Sequence, residues 1–202
     1  MTLLGDFFEE LDGLWSAADA KLRGKTRLRL LGSAALMFQT SYARGTKDSD
    51  ILETNDLTEA TKRRLLERAG KGSQLHTKHR IYLELVPHGL PFLPQVPIYH
   101  PATSINGRLQ CFDLEVLDVI DVVVSKLARF HGSDRDDISA MVDLNLVPHA
   151  RLVDRFREAA DSFAYDARAS SLPKLITHLH VVERDFLDVP ESDIELPDWL
   201  DL

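Results

Sequence analysis

The stretch "RLRLLGSAALMFQTSYARGTKDSDIL", residues 27–52, decides how the chain folds. Leu28 and Leu30 alternate with Arg27 and Arg29, the period-two pattern of a half-buried strand over Thr26 to Leu31. Gly32 ends that strand, and Ser33 to Tyr42, rich in Ala34, Ala35, Leu36, Met37 and Phe38, reads as a short helix. Ala43 to Lys47 is a turn around Gly45, and Asp48 to Leu52 is a second strand expected beside the first.

On the N-terminal side, residues 3 to 20 carry Leu3, Leu4, Phe7, Phe8, Leu11, Leu14, Trp15 and Ala18 at helical spacing, an amphipathic helix. On the C-terminal side, Leu57 to Ala69 reads as a helix with Asp56 as its N-cap, and Ile81 to Val86 as a third strand. Five prolines between Pro87 and Asn106 predict a long structured loop without a regular element. Leu109 to Val116 follows as a fourth strand. The remainder is helical: Leu117 to Phe130, Asp134 to Leu144, His149 to Phe163 and Leu172 to Leu187. The tail "PESDIELPDWLDL" is acidic, with Leu196, Trp199 and Leu200 available to dock it. The expected fold is therefore α+β. Residues 1–116 form a helix and a small mixed sheet flanked by helices, and residues 117–202 form a helical C-terminal part.

At 202 residues, 44% apolar and 28% charged, the chain has the composition of a globular protein with a substantial core. Acids stand in "MTLLGDFFEE" where a secretory signal carries basic residues, no apolar run reaches membrane-spanning length, and Cys111 is the sole cysteine. A cytoplasmic location without membrane association is expected. The charge is uneven: residues 1–100 hold 14 Lys and Arg against 12 Asp and Glu, and residues 101–202 hold 10 against 20. The halves thus carry +2 and −10, which disfavours nonspecific duplex binding by the whole chain. The basic residues gather at Lys21, Arg23, Lys25, Arg27 and Arg29, then at Lys62, Arg63, Arg64, Arg68 and Lys71. None of the eight histidines falls in a spacing suited to zinc, and Cys111 is expected in the core.

A strand that ends in Gly-Ser and passes into a helix directs backbone N–H groups and a hydroxyl toward the helix N-terminus, a phosphate-binding arrangement that is also an ordinary cap. Asp48 and Asp50 stand two apart on a strand and so share a face, where paired carboxylates repel unless a cation lies between them. Mg²⁺ takes one or two protein carboxylates and completes its shell with water and substrate phosphates. Together, Gly32-Ser33 and Asp48-x-Asp50 resemble the nucleotidyltransferase signature of the polymerase-beta superfamily. "RGTKDSDIL" is similar to the R-x-T-x-D-x-D-hydrophobic form of its minimal bacterial branch, which includes the AbiEii-like and MenT-like toxins. The middle position of the Asp pair, usually apolar there, is Ser49. The resemblance implies Gly32, Ser33 and Arg44 at the nucleotide and Asp48 and Asp50 at Mg²⁺ or Mn²⁺. Glu84, in "IYLELV", would be a third ligand or base; otherwise it is an exposed strand residue.

A second constellation lies in "LDVIDVVVSKLARFHGSDRDDISAMV". On the helical wheel Asp118, Asp121, Ser125 and Arg129 share a polar face, whereas Lys126 falls among Val119, Val123 and Phe130. Such a lysine either snorkels to solvent or enters a cleft and neutralises phosphate. Ser133 and Asp136 have capping-box spacing, and Asp137 lies on the less polar side with Ala140, Met141 and Leu144. This stretch is similar to the D-x-x-x-x-K-L … R-x-x-D-I pattern of the AbiEii-like proteins, which implies active-site roles for Lys126 and Asp137 and a supporting role for Asp121. By resemblance the chain is expected to move a nucleoside monophosphate from an NTP, such as ATP, to an acceptor hydroxyl. The acceptor would be RNA such as the tRNA 3′ end, and the chain a toxin paired with an antitoxin protein. Two alternatives stand beside this: transfer to a cationic small molecule, which the −10 half would attract, and a non-catalytic nucleotide- or partner-binding role.

Overall fold

A computed structural model describes residues 3–18 and 24–195; the expectations for Lys21, Arg23, Leu196, Trp199 and Leu200 fall outside these residues. The fold is α+β, with a five-stranded mixed sheet and a helical C-terminal part. Two compact units make up the chain: Met1–Leu90 with Tyr99–Leu117, and Pro91–Ile98 with Asp118–Leu202.

In chain order the first unit comprises α1 (Leu3–Ala18), β1 (Thr26–Leu30), α2 (Gly32–Gln39), β2 (Asp48–Leu52), α3 (Glu59–Ala69) and α4 (Gln74–His79). It continues with β3 (Tyr82–Val86), β4 (Tyr99–Pro101), α5 (Thr103–Asn106) and β5 (Phe112–Leu117). The strand order is β3-β2-β1-β5-β4, with β1 antiparallel to β2, β2 parallel to β3, and β1 parallel to β5. Register and alternation together fix the two faces of the sheet. Leu28, Leu30, Ile51, Leu83, Leu114 and Val116 lie on one face and are buried. On the other face Arg27 and Arg29 both reach Glu115 of β5, at 3.3 and 2.9 Å.

The amphipathic pattern of α1 buries Phe7, Phe8, Leu11 and Trp15, and Trp15 meets Phe112 of β5 at 5.1 Å between rings. Its one buried acid, Asp12, accepts from the backbone N–H groups of Gln110, Cys111 and Phe112 at 2.9, 2.8 and 3.1 Å. That carboxylate ties α1 to the start of β5, a contact nearly a hundred residues long in sequence.

Several local expectations are corrected. Helix α3 begins at Glu59 with Thr58, not Asp56, as its cap: the Thr58 hydroxyl accepts from Thr61 N at 3.2 Å. The proline-rich segment contains β4 and α5. Proline fits because β4 lies at the edge of the sheet, where a missing N–H breaks no second ladder. Helix α4 was hidden by its polar composition, and its Ser73 cap accepts from His76 N at 3.1 Å. Cys111 is half-buried rather than in the core, and burial pushes its thiol up.

The second unit contains α6 (Val119–Leu127), α7 (Gly132–Asp143), α8 (His149–Phe163) and α9 (Leu172–Asp185). Asp118 caps α6 by accepting from Ile120 N at 3.0 Å and pairs with Arg151 at 3.1 Å. Asp121, on the polar face of the helical wheel, is fully buried: Arg155 clasps it with two N–H groups at 2.7 Å each, and Ile98 N donates to it at 2.8 Å. Arg155 also donates to Val96 O at 3.1 Å, while Phe92 packs on Phe156 and Phe163 with ring distances of 5.4 and 5.2 Å. These contacts hold residues 91–98 to the helical unit.

Replacing Asp12 by Ala leaves three backbone donors at the head of β5 without their acceptor and is expected to cost on the order of 3 kcal/mol of unfolding free energy. Urea denaturation measures it; a loss under about 1 kcal/mol would contradict the role assigned to this carboxylate.

Candidate active site

Strand β2 opens with Asp48 and Asp50 on the face opposite the core, and the parallel ladder sets Asp50 directly across from Glu84 of β3. Asp48, Asp50 and Glu84 each bring a carboxylate oxygen within 4.8 Å of the others. Thr46 steadies the entry to β2, its hydroxyl donating to Asp48 O at 2.8 Å and to Asp48 Oδ1 at 3.2 Å. Three clustered carboxylates with no histidine or thiol form a hard, anionic oxygen set that fits Mg²⁺ or Mn²⁺.

Helix α2 starts at Gly32, immediately after β1, and Leu31 N donates to Asp50 O at 2.9 Å, which docks this turn against β2. Gly32 has φ +57°, and a Cβ on it would stand 3.0 Å from Asp50 Oδ2. Glycine is thus required twice, by the left-handed backbone and by the approach of the carboxylate. The helix has no side-chain cap: Ser33 is its second residue, and Leu31 takes the cap position. The first turn of α2 therefore brings backbone N–H groups beside the acids. Arg44 is half-buried in the turn before β2, and its carbonyl accepts from Thr46 N at 3.0 Å.

Ser49 is explained by the same alternation. Lying between the two acids, it points to the core face with Leu30, Ile51 and Leu83, is fully buried, and its Oγ has no hydrogen-bond partner among the described residues. It occupies an apolar slot rather than a place among the ligands.

Tyr82 lies two residues before Glu84 on β3 and in register with Asp48. Burial pushes its phenol up, and Asp48, Glu84 and Asp50 push it the same way, so it is protonated at neutral pH.

In the second unit, Lys126 neither snorkels nor stands as an unpaired ammonium. Its side chain is 4% exposed, and Nζ lies 2.8 Å from Asp137 Oδ2 and 3.0 Å from Asp134 Oδ1. Asp134 also takes Arg129 at 3.1 Å and His131 N at 3.2 Å, closing a capping box on His131. Helix α7 thus begins earlier than the spacing of Ser133 and Asp136 suggests, and the capping acid is Asp134. The sequence reading passed over Asp134 as an ion-pair partner. The signal was its place eight residues after Lys126, across a tight turn between two helices. Four charges, Lys126, Arg129, Asp134 and Asp137, balance within the cluster.

Among the described residues, Asp48, Asp50 and Glu84 are the one such group of acids, histidines and cysteines able to hold a metal. His79 meets Glu10 at 2.7 Å, His149 meets Glu183 at 2.8 Å, and His178 meets Leu127 O at 2.6 Å, so these three have structural partners.

Ser49→Ala removes a buried hydroxyl that lacks a partner and is expected to raise stability by roughly 1 kcal/mol in chemical denaturation; destabilisation would mean the hydroxyl is satisfied. Lys126→Met removes the buried cation that Asp134 and Asp137 share, with an expected loss of about 3–5 kcal/mol by the same measurement. A loss below about 1 kcal/mol would show that the cluster does not hold α6 to α7.

Residues 6–186 match the family described as nucleotidyltransferase of unknown function (DUF6036). No curated protein and no solved structure matches the chain. The match spans most of the sequence, and the chain belongs to this nucleotidyltransferase family.

Proposed function

We propose that this member of a nucleotidyltransferase family moves a nucleoside monophosphate from an NTP to an RNA 3′ hydroxyl, at the face of β2 and β3. The observation that carries the reading is the convergence of Asp48, Asp50 and Glu84 within 4.8 Å, beside a glycine turn that admits the Asp50 carboxylate to 3.0 Å of an ideal Cβ.

In this reading Asp48, Asp50 and Glu84 hold Mg²⁺ or Mn²⁺. Such an ion, when bound, neutralises triphosphate charge and favours in-line displacement. The first turn of α2, with Gly32 and Ser33, receives the phosphates through backbone N–H groups and a hydroxyl, and the resemblance assigns Arg44, in the turn before β2, to the nucleotide as well. The acceptor oxygen bonds to the α-phosphorus, pyrophosphate leaves, and the hydroxyl proton passes to a carboxylate of the cluster. Lys126 is held by Asp137 and Asp134 and uses two of its three donors on them. The likeness to the AbiEii-like pattern supports an active-site role for Lys126, with Asp137 as the residue that positions the ammonium. The likeness of "RGTKDSDIL" and "DVVVSKLAR" to the AbiEii-like and MenT-like branch supports tRNA as the acceptor and a toxin role countered by an antitoxin protein.

Incubation with each α-labelled NTP, Mg²⁺ and total RNA tests this. Label is expected in RNA with the wild type, to fall at least about 100-fold in Asp50→Asn, and to vanish with EDTA. Equal labelling by wild type and Asp50→Asn would remove these acids from the reaction. Label in cationic small molecules but not in RNA would overturn the acceptor.

A further inference from the structure

The run from Ala60 to Arg80 holds Lys62, Arg63, Arg64, Arg68, Lys71, Lys78 and Arg80 against one acid, Glu67, in a chain of net charge −8. Four of these cations have partners within the chain. Lys62 pairs with Glu53 and Glu59, Arg63 with Glu67, and Lys78 with Glu10, while Arg64 lies over the Trp15 ring. Lys71 and Arg80 make no ion pair among the described residues, and both flank the entry to β3. Lys47 does the same from the turn before β2, where its carbonyl accepts from Tyr82 N at 3.0 Å.

One of these cations lies beside an aromatic surface. Lys71 Nζ lies 6.0 Å from the centre of the Tyr82 ring, and the His76 ring packs edge-on against it at 5.2 Å. His76 Nδ1 accepts from Gly72 N at 2.9 Å, which leaves the neutral ring with its proton on Nε2. Arg80 leaves α4 with φ 60°, a conformation in which glycine or asparagine would be less strained, so the charge stands where a smaller residue would relax the turn. Lys71, His76 and Tyr82 therefore offer a stacking face, two donors and a cation beside the acidic cluster.

The order of strands assigns a ligand. The Gly32 turn follows β1, the paired aspartates lie on β2, and Tyr82 and Glu84 lie on β3, the opposite side of the aspartates from that turn. Given the proposed reading, on which this inference rests, the triphosphate occupies the β1 side and the acceptor must approach from β3. We propose that Tyr82, His76, Lys71, Lys47 and Arg80 form the acceptor subsite. There the last bases of a single-stranded RNA 3′ end stack on Tyr82, and Lys71, Lys47 and Arg80 meet its phosphates. A base has a π-face whatever its sequence, and cations beside an aromatic ring are the usual means of holding single strands. The subsite also gives the basic run of the sequence a role that the helix alone does not.

The test is equilibrium anisotropy with a fluorescein-labelled single-stranded RNA 12-mer and Mg²⁺, without NTP, on the full chain. Tyr82→Ala is expected to weaken binding about 5- to 100-fold, and Tyr82→Phe, which keeps the ring, less than about 3-fold. Lys71→Gln is expected to weaken it several-fold and to reduce the log–log salt slope by about 0.7. Circular dichroism of each variant excludes misfolding, and Tyr82→Phe keeps the test open should Tyr82→Ala not fold. Wild-type affinity in Tyr82→Ala, an absence of RNA binding by the wild type, or equal competition by polyglutamate would each overturn the subsite. RNA binding through Tyr82 without label transfer from any NTP would retain the subsite and overturn the proposed reaction instead.

Discussion

The parallel pairing of β2 with β3 is the constraint on which the rest depends. It sets Asp50 against Glu84 in register, and alternation adds Asp48 on the same face, so three carboxylates crowd within 4.8 Å. Like charges so placed oppose the pairing that brings them together unless a cation joins them. The surroundings serve this crowding. Gly32 gives up its side chain so that Asp50 fits, Thr46 holds Asp48 from the turn, and Ser49 fills the core-facing position between the acids. A sheet built for stability alone would place neutral or alternating charges there, as β1 and β5 do with Arg27, Arg29 and Glu115.

The helical unit handles charge in the opposite way. Lys126, Asp134 and Asp137 are almost wholly buried and, with Arg129, balance one another; Asp121 and Arg155 do the same around the 91–98 segment. Breaking such a cluster is costly because it leaves a charge in a medium that solvates it poorly. One unit thus hides its ions in matched sets, while the other gathers three carboxylates on one sheet face.

Much of this was legible in the sequence because it follows from period. Alternation alone put Asp48 and Asp50 on one face, and Glu84 opposite Leu83 and Leu85. The helical wheel singled out Lys126 and Asp137, which form an ion pair at 2.8 Å. What was not legible depends on pairing between distant segments. The place of β4 at a sheet edge, which makes Pro101 acceptable, is a property of topology. Asp121 fell on a polar face whose partner Arg155 lies 34 residues away, and Asp134 was masked by the capping-box spacing of Ser133 and Asp136, although it closes the box and is the second partner of Lys126. Thr58 displaced Asp56 as a cap because a cap is set by backbone geometry at one residue, which composition does not resolve. Ser49 departs from the apolar residue usual between the aspartates, yet alternation points it into the core all the same.

The central claim is that the acids of β2 and β3 form a site for a divalent cation. The thermal unfolding midpoint of the wild type and of Glu84→Gln, each in EDTA and in saturating Mn²⁺, tests it most directly. The account predicts that the wild type gains several degrees with the ion. Glu84→Gln, relieved of one repelling charge, should start above the wild type in EDTA and gain little. A wild type that ignores the ion, or a Glu84→Gln variant that responds to it as fully as the wild type, would contradict it.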